Sequence, residues 1–227
     1  TQASSGDHTI QPMAAVQDVQ VILMGTGTSA GVPVIGCSCR VCTSTDPRDR
    51  RLRCGACVRW TDPAGRPRTV LIDTSPDLRE QVLRQRLMRC DAILYTHNHA
   101  DHVFGLDEVR RFNVLMNAAI DLYADEHTLR SLQRIYQYIF EPAGNVNDSF
   151  IATLIPHHMD VGAPVDLFGL RFEPVRFLHG RLPILGFRIE ALDDQGEVVV
   201  DQPGPLPLAY CTDVSAIPPK TWPRLTG

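Results

Sequence analysis

The chain has 227 residues, 44% of them hydrophobic, and a net charge of −4, enough apolar material to bury one full core. Charges of both signs are mixed along it, which makes nucleic acid an unlikely partner, and no apolar run approaches the ~20 residues of a membrane span. Residues 1 to 17, TQASSGDHTIQPMAAVQ, lack a basic segment followed by an apolar stretch, so they read as a mobile tail before one domain over residues 18 to 227, and the expected compartment is the cytoplasm.

In chain order, VQVILMG (19 to 25) is the first predicted strand, and GTGTSAGVP after it is a loop punctuated by glycine and proline. That loop is no P-loop and lacks the dinucleotide spacing; it reads as a tight turn near the functional site. The next stretch, through DPRDRRLR, has no clean periodicity. TVLID (69 to 73) reads as a buried strand. Ser75 as N-cap and Pro76 at the first helical position then predict a helix over 76 to about 88, with Leu78, Val82, Leu83 and Leu87 inward. DAILYT (91 to 96) is a strand, and helices are predicted over 103 to 117 and roughly 125 to 140. The second half offers VDLF, LRFEPVRF, ILGFRIE, EVVV and PLAYCT as strands. Helices and strands alternate first and strands dominate later, the pattern of an α/β or α+β layered fold.

The chemistry concentrates at YTHNHADH. His97, His99, Asp101 and His102 fall within six positions directly after an apolar strand. A strand-to-helix turn there gathers four donors around a small volume, and neutral imidazole with carboxylate suits zinc, iron or manganese. His179 in RFLHG and Asp213 in LAYCTD are polar residues at predicted strand ends and can join them. His8, His127, His157 and His158 read as structural or surface residues.

Seven cysteines are distributed unevenly. Cys37, Cys39 and Cys42 offer three thiolates at short spacing, which favours a tetrahedral structural zinc; three reduced thiols in a loop are the alternative, and Cys54 or Cys57 could serve as a fourth ligand. Cys90 and Cys211 read as buried hydrophobes.

THNHADH resembles the His-x-His-x-Asp-His motif of the metallo-β-lactamase superfamily, and GTGTSAGVPVIGCSCRVC with DPRDRRLR is similar to its PhnP-like phosphodiesterase group, which acts on phosphoribosyl cyclic phosphate. The resemblance spans residues 19 to about 215. It implies an α+β fold, a four-layer αββα sandwich with a two-metal site at one edge of the sheets. His97, His99 and His179 would bind one ion, Asp101 and His102 the other, and Asp213 would bridge them; the ions would be zinc or manganese, or iron. A later histidine normally completes the second site, and another completes the cysteine zinc of Cys37, Cys39 and Cys42. No histidine follows His179, so the expected continuation lies beyond this sequence.

The implied reaction is in-line attack of a hydroxide, held between the ions, on a small and cyclic phosphodiester, with Asp101 orienting it as the catalytic residue. Arginines of DPRDRRLR either contact phosphate or form a solvated basic loop. A homodimer is a further expectation. The competing readings are a transfer-RNA 3′-processing nuclease, a glyoxalase II-type thiolesterase, a PqqB-like cofactor-biosynthesis protein and a noncatalytic metal-binding protein.

Overall fold

A computed structural model describes residues 16–141, 150–200 and 204–225. The predicted tail thus lies outside the described residues over 1–15, as does His8, whereas Val16 is buried and Gln17 already opens the first strand. Among the described residues ten strands form two sheets. The first orders β1 (Gln17–Gly25), β2 (Gly55–Thr61), β3 (Pro67–Ile72), β4 (Ala92–Leu94), β5 (Ile120–Ala124) and β6 (Leu154–His158) side by side; the second runs β10 (Leu208–Tyr210), β9 (Leu182–Ala191), β8 (Leu170–His179), β7 (Val165–Leu167). β1, β2 and β3 pair antiparallel, and β3 through β6 are parallel.

Side chains alternate across a strand, and the central strands of the first sheet use both faces. Cys57, Leu71, Ile93, Tyr95 and Leu122 point to a core shared with the helices, while Val58, Val70, Ile72 and Leu94 meet Phe172, Leu185, Phe187 and Ile189 of the second sheet. Burial on both faces explains why TVLI is a continuous apolar run; each such side chain contributes roughly 1.5–3 kcal/mol. A third cluster, Val175, Phe177 and Ile184 with Val214 and Ile217, lies against the C-terminal segment. This is the two-sheet α+β sandwich that the resemblance implies.

The helices are α1 (Leu78–Gln85), α2 (Ala100–Val103), α3 (Arg110–Met116), α4 (Glu126–Ile135) and α5 (Gln137–Phe140). Several differ from expectation for local reasons. Ser75 is not the N-cap: its hydroxyl accepts from the Asp77 amide, and α1 starts at Leu78. α1 ends at Arg86, whose φ of 50° is left-handed, and Leu83 points to solvent at 56% exposure rather than inward. The predicted helix over 103 to 117 is broken at Gly105, where an added Cβ would lie 2.0 Å from the Ser75 carbonyl oxygen. EVVV does not form a strand; Val198 makes an isolated bridge to Leu192, the Val199 amide donates to the Ala191 carbonyl, and Val200 is exposed. β2, β5 and β6 were not predicted. β2 is a central strand without alternation, and β6 carries Pro156, which breaks the reading of a strand although an edge position tolerates it.

Candidate metal centre at the strand ends

The carboxyl ends of parallel strands gather the polar residues, the usual place for a site in such sheets. Asp73 follows β3, Thr96 and His97 follow β4, His99 caps α2, Asp101 and His102 lie on α2, His179 ends β8, and Asp213 follows β10. α2 is docked by its own backbone: the Thr74 amide donates to the His102 carbonyl at 2.7 Å and the Gly105 amide to the Thr74 carbonyl at 2.8 Å.

Two groups of donors converge. Nitrogens of His97, His99 and His179 lie within 4.8 Å of one another, as do donor atoms of His97, His102 and Asp213. Asp213 Oδ2 is 3.3 Å from His102 Nε2 and 3.9 Å from both His97 Nε2 and His179 Nε2. Asp101 Oδ2 stands 3.4 Å from His102 Nε2. All six residues singled out from sequence are therefore brought together.

Asp73 and Thr96 were missed, and they orient the site. Asp73 Oδ2 accepts from His102 Nδ1 at 2.7 Å and from the Thr96 hydroxyl at 2.8 Å, and Oδ1 accepts from the Thr96 amide at 2.8 Å. Because the Thr96 proton goes to Asp73, its oxygen is left to accept from His97 Nδ1 at 3.0 Å. Both Nδ1 atoms then carry hydrogen, and both Nε2 atoms face the site. His97 Nε2 is buried with no hydrogen-bond partner. A buried lone pair without a partner is costly, and a metal ion is the species that fits a buried set of imidazoles and carboxylates. Asp73 and Asp213 both adopt positive φ, 62° and 54°, a strained backbone that turns a carboxylate inward at a strand end.

The electrostatics separate the two histidines. Burial pushes the His97 imidazolium down to about 4, and the neighbouring His102 charge acts the same way. Burial also opposes charge on His102, but hydrogen bonds to Asp213 and Asp73 outweigh it and raise that group to about 11. His102 holds Asp213 well below the usual carboxylate range.

The remaining candidates sort differently. Cys37, Cys39 and Cys42 bring their sulfurs within 4.8 Å of one another. The Cys42 amide, then the Cys37 side chain, lower the Cys39 thiol to about 7, which favours the thiolate a metal needs. Neither proposed fourth cysteine joins them. Cys57 is fully buried in the core, and Cys54 Sγ lies 3.0 Å from Thr212 Oγ1; among the described residues no other donor completes the set. Cys90 is buried as expected, but Cys211 is exposed, because strand alternation turns Tyr210 inward. In DPRDRRLR, Arg48 pairs with Asp46, Arg51 reaches the Thr26 hydroxyl, and Arg53 makes a bidentate pair with Asp77. The 51–53 segment also anchors the glycine loop, through the Gly27 amide on Leu52 and Val32 on Arg51. Arg53 is close enough for the Asp101 charge to help raise its pKa, after its bond to Asp77. His157 is tied to Asp121 at 2.6 Å, and His127 contacts Asn98 at 3.3 Å.

A sequence model described as a beta-lactamase superfamily domain matches residues 68–227. The chain belongs to the beta-lactamase superfamily. Its resemblance to the PhnP group is equally direct: a crystal structure described as a new diphosphatase from the PhnP family is 38% identical, with a TM-score of 0.73, covering 94% of this chain and 71% of that one. A protein of Porphyromonas gingivalis named octanoyltransferase is 39% identical over 173 residues, 75% of this chain and 33% of that protein. Zinc-bound PqqB from Methylobacterium extorquens shares the fold, with 22% identity and a TM-score of 0.56 over 75% of this chain and 58% of that one. The chain spans about a third of the length of the curated relatives it matches. Divalent metal use belongs to this beta-lactamase fold, and the donor set described above fits it. Among the described residues no helix is long and apolar enough to cross a membrane.

Proposed function

We propose that this chain is a metal-dependent hydrolase whose substrates are small phosphodiesters, cyclic ones included, and that His97, His99 and His179 would hold one ion, Asp101 and His102 a second, with Asp213 shared between the two sets. The observation that carries the reading is the position of Asp213 Oδ2 between histidines of both groups. Zinc, manganese or iron suit these donors. When bound, the ions supply Lewis-acid polarisation of a phosphoryl oxygen and a water acidified towards neutrality.

The chain's own residues set the geometry. Asp73 fixes His102, and Thr96 fixes His97, each with Nε2 aimed at the site. Asp101, with a side chain only 13% exposed beside His102, orients the attacking water. The Arg53 guanidinium stays committed to Asp77. Cys37, Cys39 and Cys42 form a structural zinc site. All seven cysteines lie among the described residues and none is in a disulfide, which fits the reducing cytoplasm.

The 38% identical neighbour is described as a diphosphatase, which favours a second reading, cleavage of a diphosphate bond at the same centre. The test is a substrate panel with the metal-loaded protein: bis(p-nitrophenyl) phosphate, a ribose cyclic phosphate, a nucleoside diphosphate ester and S-lactoylglutathione. Phosphodiester turnover, lost by at least about a hundredfold in Asp101→Ala, supports the first reading. Diphosphate turnover alone moves the assignment to the second. Thioester turnover alone, or near-native phosphodiester turnover in metal-loaded Asp101→Ala, contradicts the mechanism.

A further inference from the structure

Asp213 is only partly buried, with 25% of its side chain exposed, yet its two oxygens face different surroundings. Oδ2 looks at His97, His102 and His179. Oδ1 accepts from the Thr212 hydroxyl at 2.9 Å. Behind Thr212 stands Cys54, its sulfur 3.0 Å from Thr212 Oγ1 and 3.4 Å from the Tyr210 hydroxyl.

The direction of this chain follows from donor counting. An ionised carboxylate only accepts, so the Thr212 proton points to Asp213. The Thr212 oxygen is then an acceptor, and the Cys54 S–H donates to it. The Cys54 sulfur in turn accepts from the Tyr210 O–H. Tyr210 is 7% exposed, and burial keeps its phenol protonated as a donor. Cys54 immediately precedes β2 of the first sheet and Tyr210 ends β10 in the second, so the relay ties the metal-facing carboxylate to both sheets.

We propose that Thr212, backed by Cys54 and Tyr210, is a positioning residue that pins Asp213 so that one oxygen, Oδ2, serves both groups of histidines. This rests on the two-ion reading above. Without the Thr212 bond, the partly buried carboxylate is held through Oδ2 alone, and rotation about χ2 is less restricted. It can then turn both oxygens to one ion or out to solvent, and the spacing between the groups is no longer held. Outer partners of metal ligands typically change metal affinity by 10–100-fold.

The experiment is calorimetric titration of EDTA-stripped protein with Mn2+, which thiolates at the cysteine cluster disfavour, together with the melting temperature of the stripped protein. Wild type, Thr212→Val, Thr212→Ser and Cys54→Ala are compared. Thr212→Val keeps the shape and loses the donor; its Mn2+ affinity should fall 10–100-fold with an unchanged metal-free melting temperature. Thr212→Ser restores the donor and should bind within about threefold of wild type, by the same scale. Cys54→Ala should lose several-fold and carries the test should Thr212→Val melt early. Wild-type Mn2+ affinity in both Thr212→Val and Cys54→Ala overturns the positioning role while leaving the two-ion reading intact. A wild-type protein that binds a single Mn2+ contradicts the two-ion reading itself, and with it a carboxylate shared between ions.

Discussion

Asp73 shows how one buried carboxylate organises a site it never enters. It accepts from His102 and from both polar groups of Thr96, and Thr96 passes the constraint to His97. Asp73→Asn replaces an acceptor-only group with one that also donates, so the His102 Nδ1–H loses its anionic partner. We expect metal affinity to fall 10–100-fold, read by competition with a chromophoric chelator; wild-type affinity would remove Asp73 from the account. His97, His99, Asp101 and His102 were legible because they are adjacent in sequence. Asp73 was not, because its role depends on the parallel pairing of β3 with β4, which brings residue 73 beside residue 96. The signal existed all the same: TVLID ends on a polar residue after an apolar strand, as PLAYCTD does at Asp213. Cys211 was misread for the opposite reason. An apolar neighbourhood in sequence does not say which face of the strand a residue takes.

At the level of elements, the break between α2 and the turn that follows it decides where Asp101 and His102 point. Gly105 allows the backbone to touch Ser75, so Gly105→Ala must displace one of the two segments. A loss of about 1–3 kcal/mol is expected in denaturant unfolding, with weaker metal binding because α2 moves; an unchanged unfolding midpoint would contradict it. A helical pattern running through 103 to 117 concealed that break, since a single glycine is tolerated inside many helices. The far end of the sheet is held differently. Asp62, in the β2–β3 turn, accepts from the Ala64 and Arg66 amides and pairs with Arg66 and Arg68, while Arg68 also reaches Asp91. Burial works against the charged form of Asp62, but these bonds win and lower it to about 2. Its folded pKa lies below the unfolded value of about 3.9. The stability it contributes is therefore present above pH ~4 and is lost as the pH falls towards 2. Asp62→Asn should cost about 2 kcal/mol at pH 7 and flatten the acid limb of the melting profile between those two values. A variant with the wild-type acid limb would assign that limb to other carboxylates.

Across the whole molecule, the site exists only because two sheets end at the same edge. His97, Asp101 and His102 come from the first sheet and its crossover, His179 and Asp213 from the second. The two groups lie more than 70 residues apart in sequence, so spacing alone could not join them; the resemblance carried by THNHADH did, and the matched superfamily domain agrees with it. β2 and β6 were invisible to periodicity because they do not alternate, whereas β5 alternates over only five residues, too short a run to stand out. The claim that binds these scales together is that two ions act at once, with Asp213 between them. It is tested most directly by titrating Mn2+ into metal-stripped protein while recording both bound metal and bis(p-nitrophenyl) phosphate turnover. The account predicts little turnover at the first equivalent and a steep rise as the second binds. Full turnover at one equivalent, unchanged by a second, would contradict it.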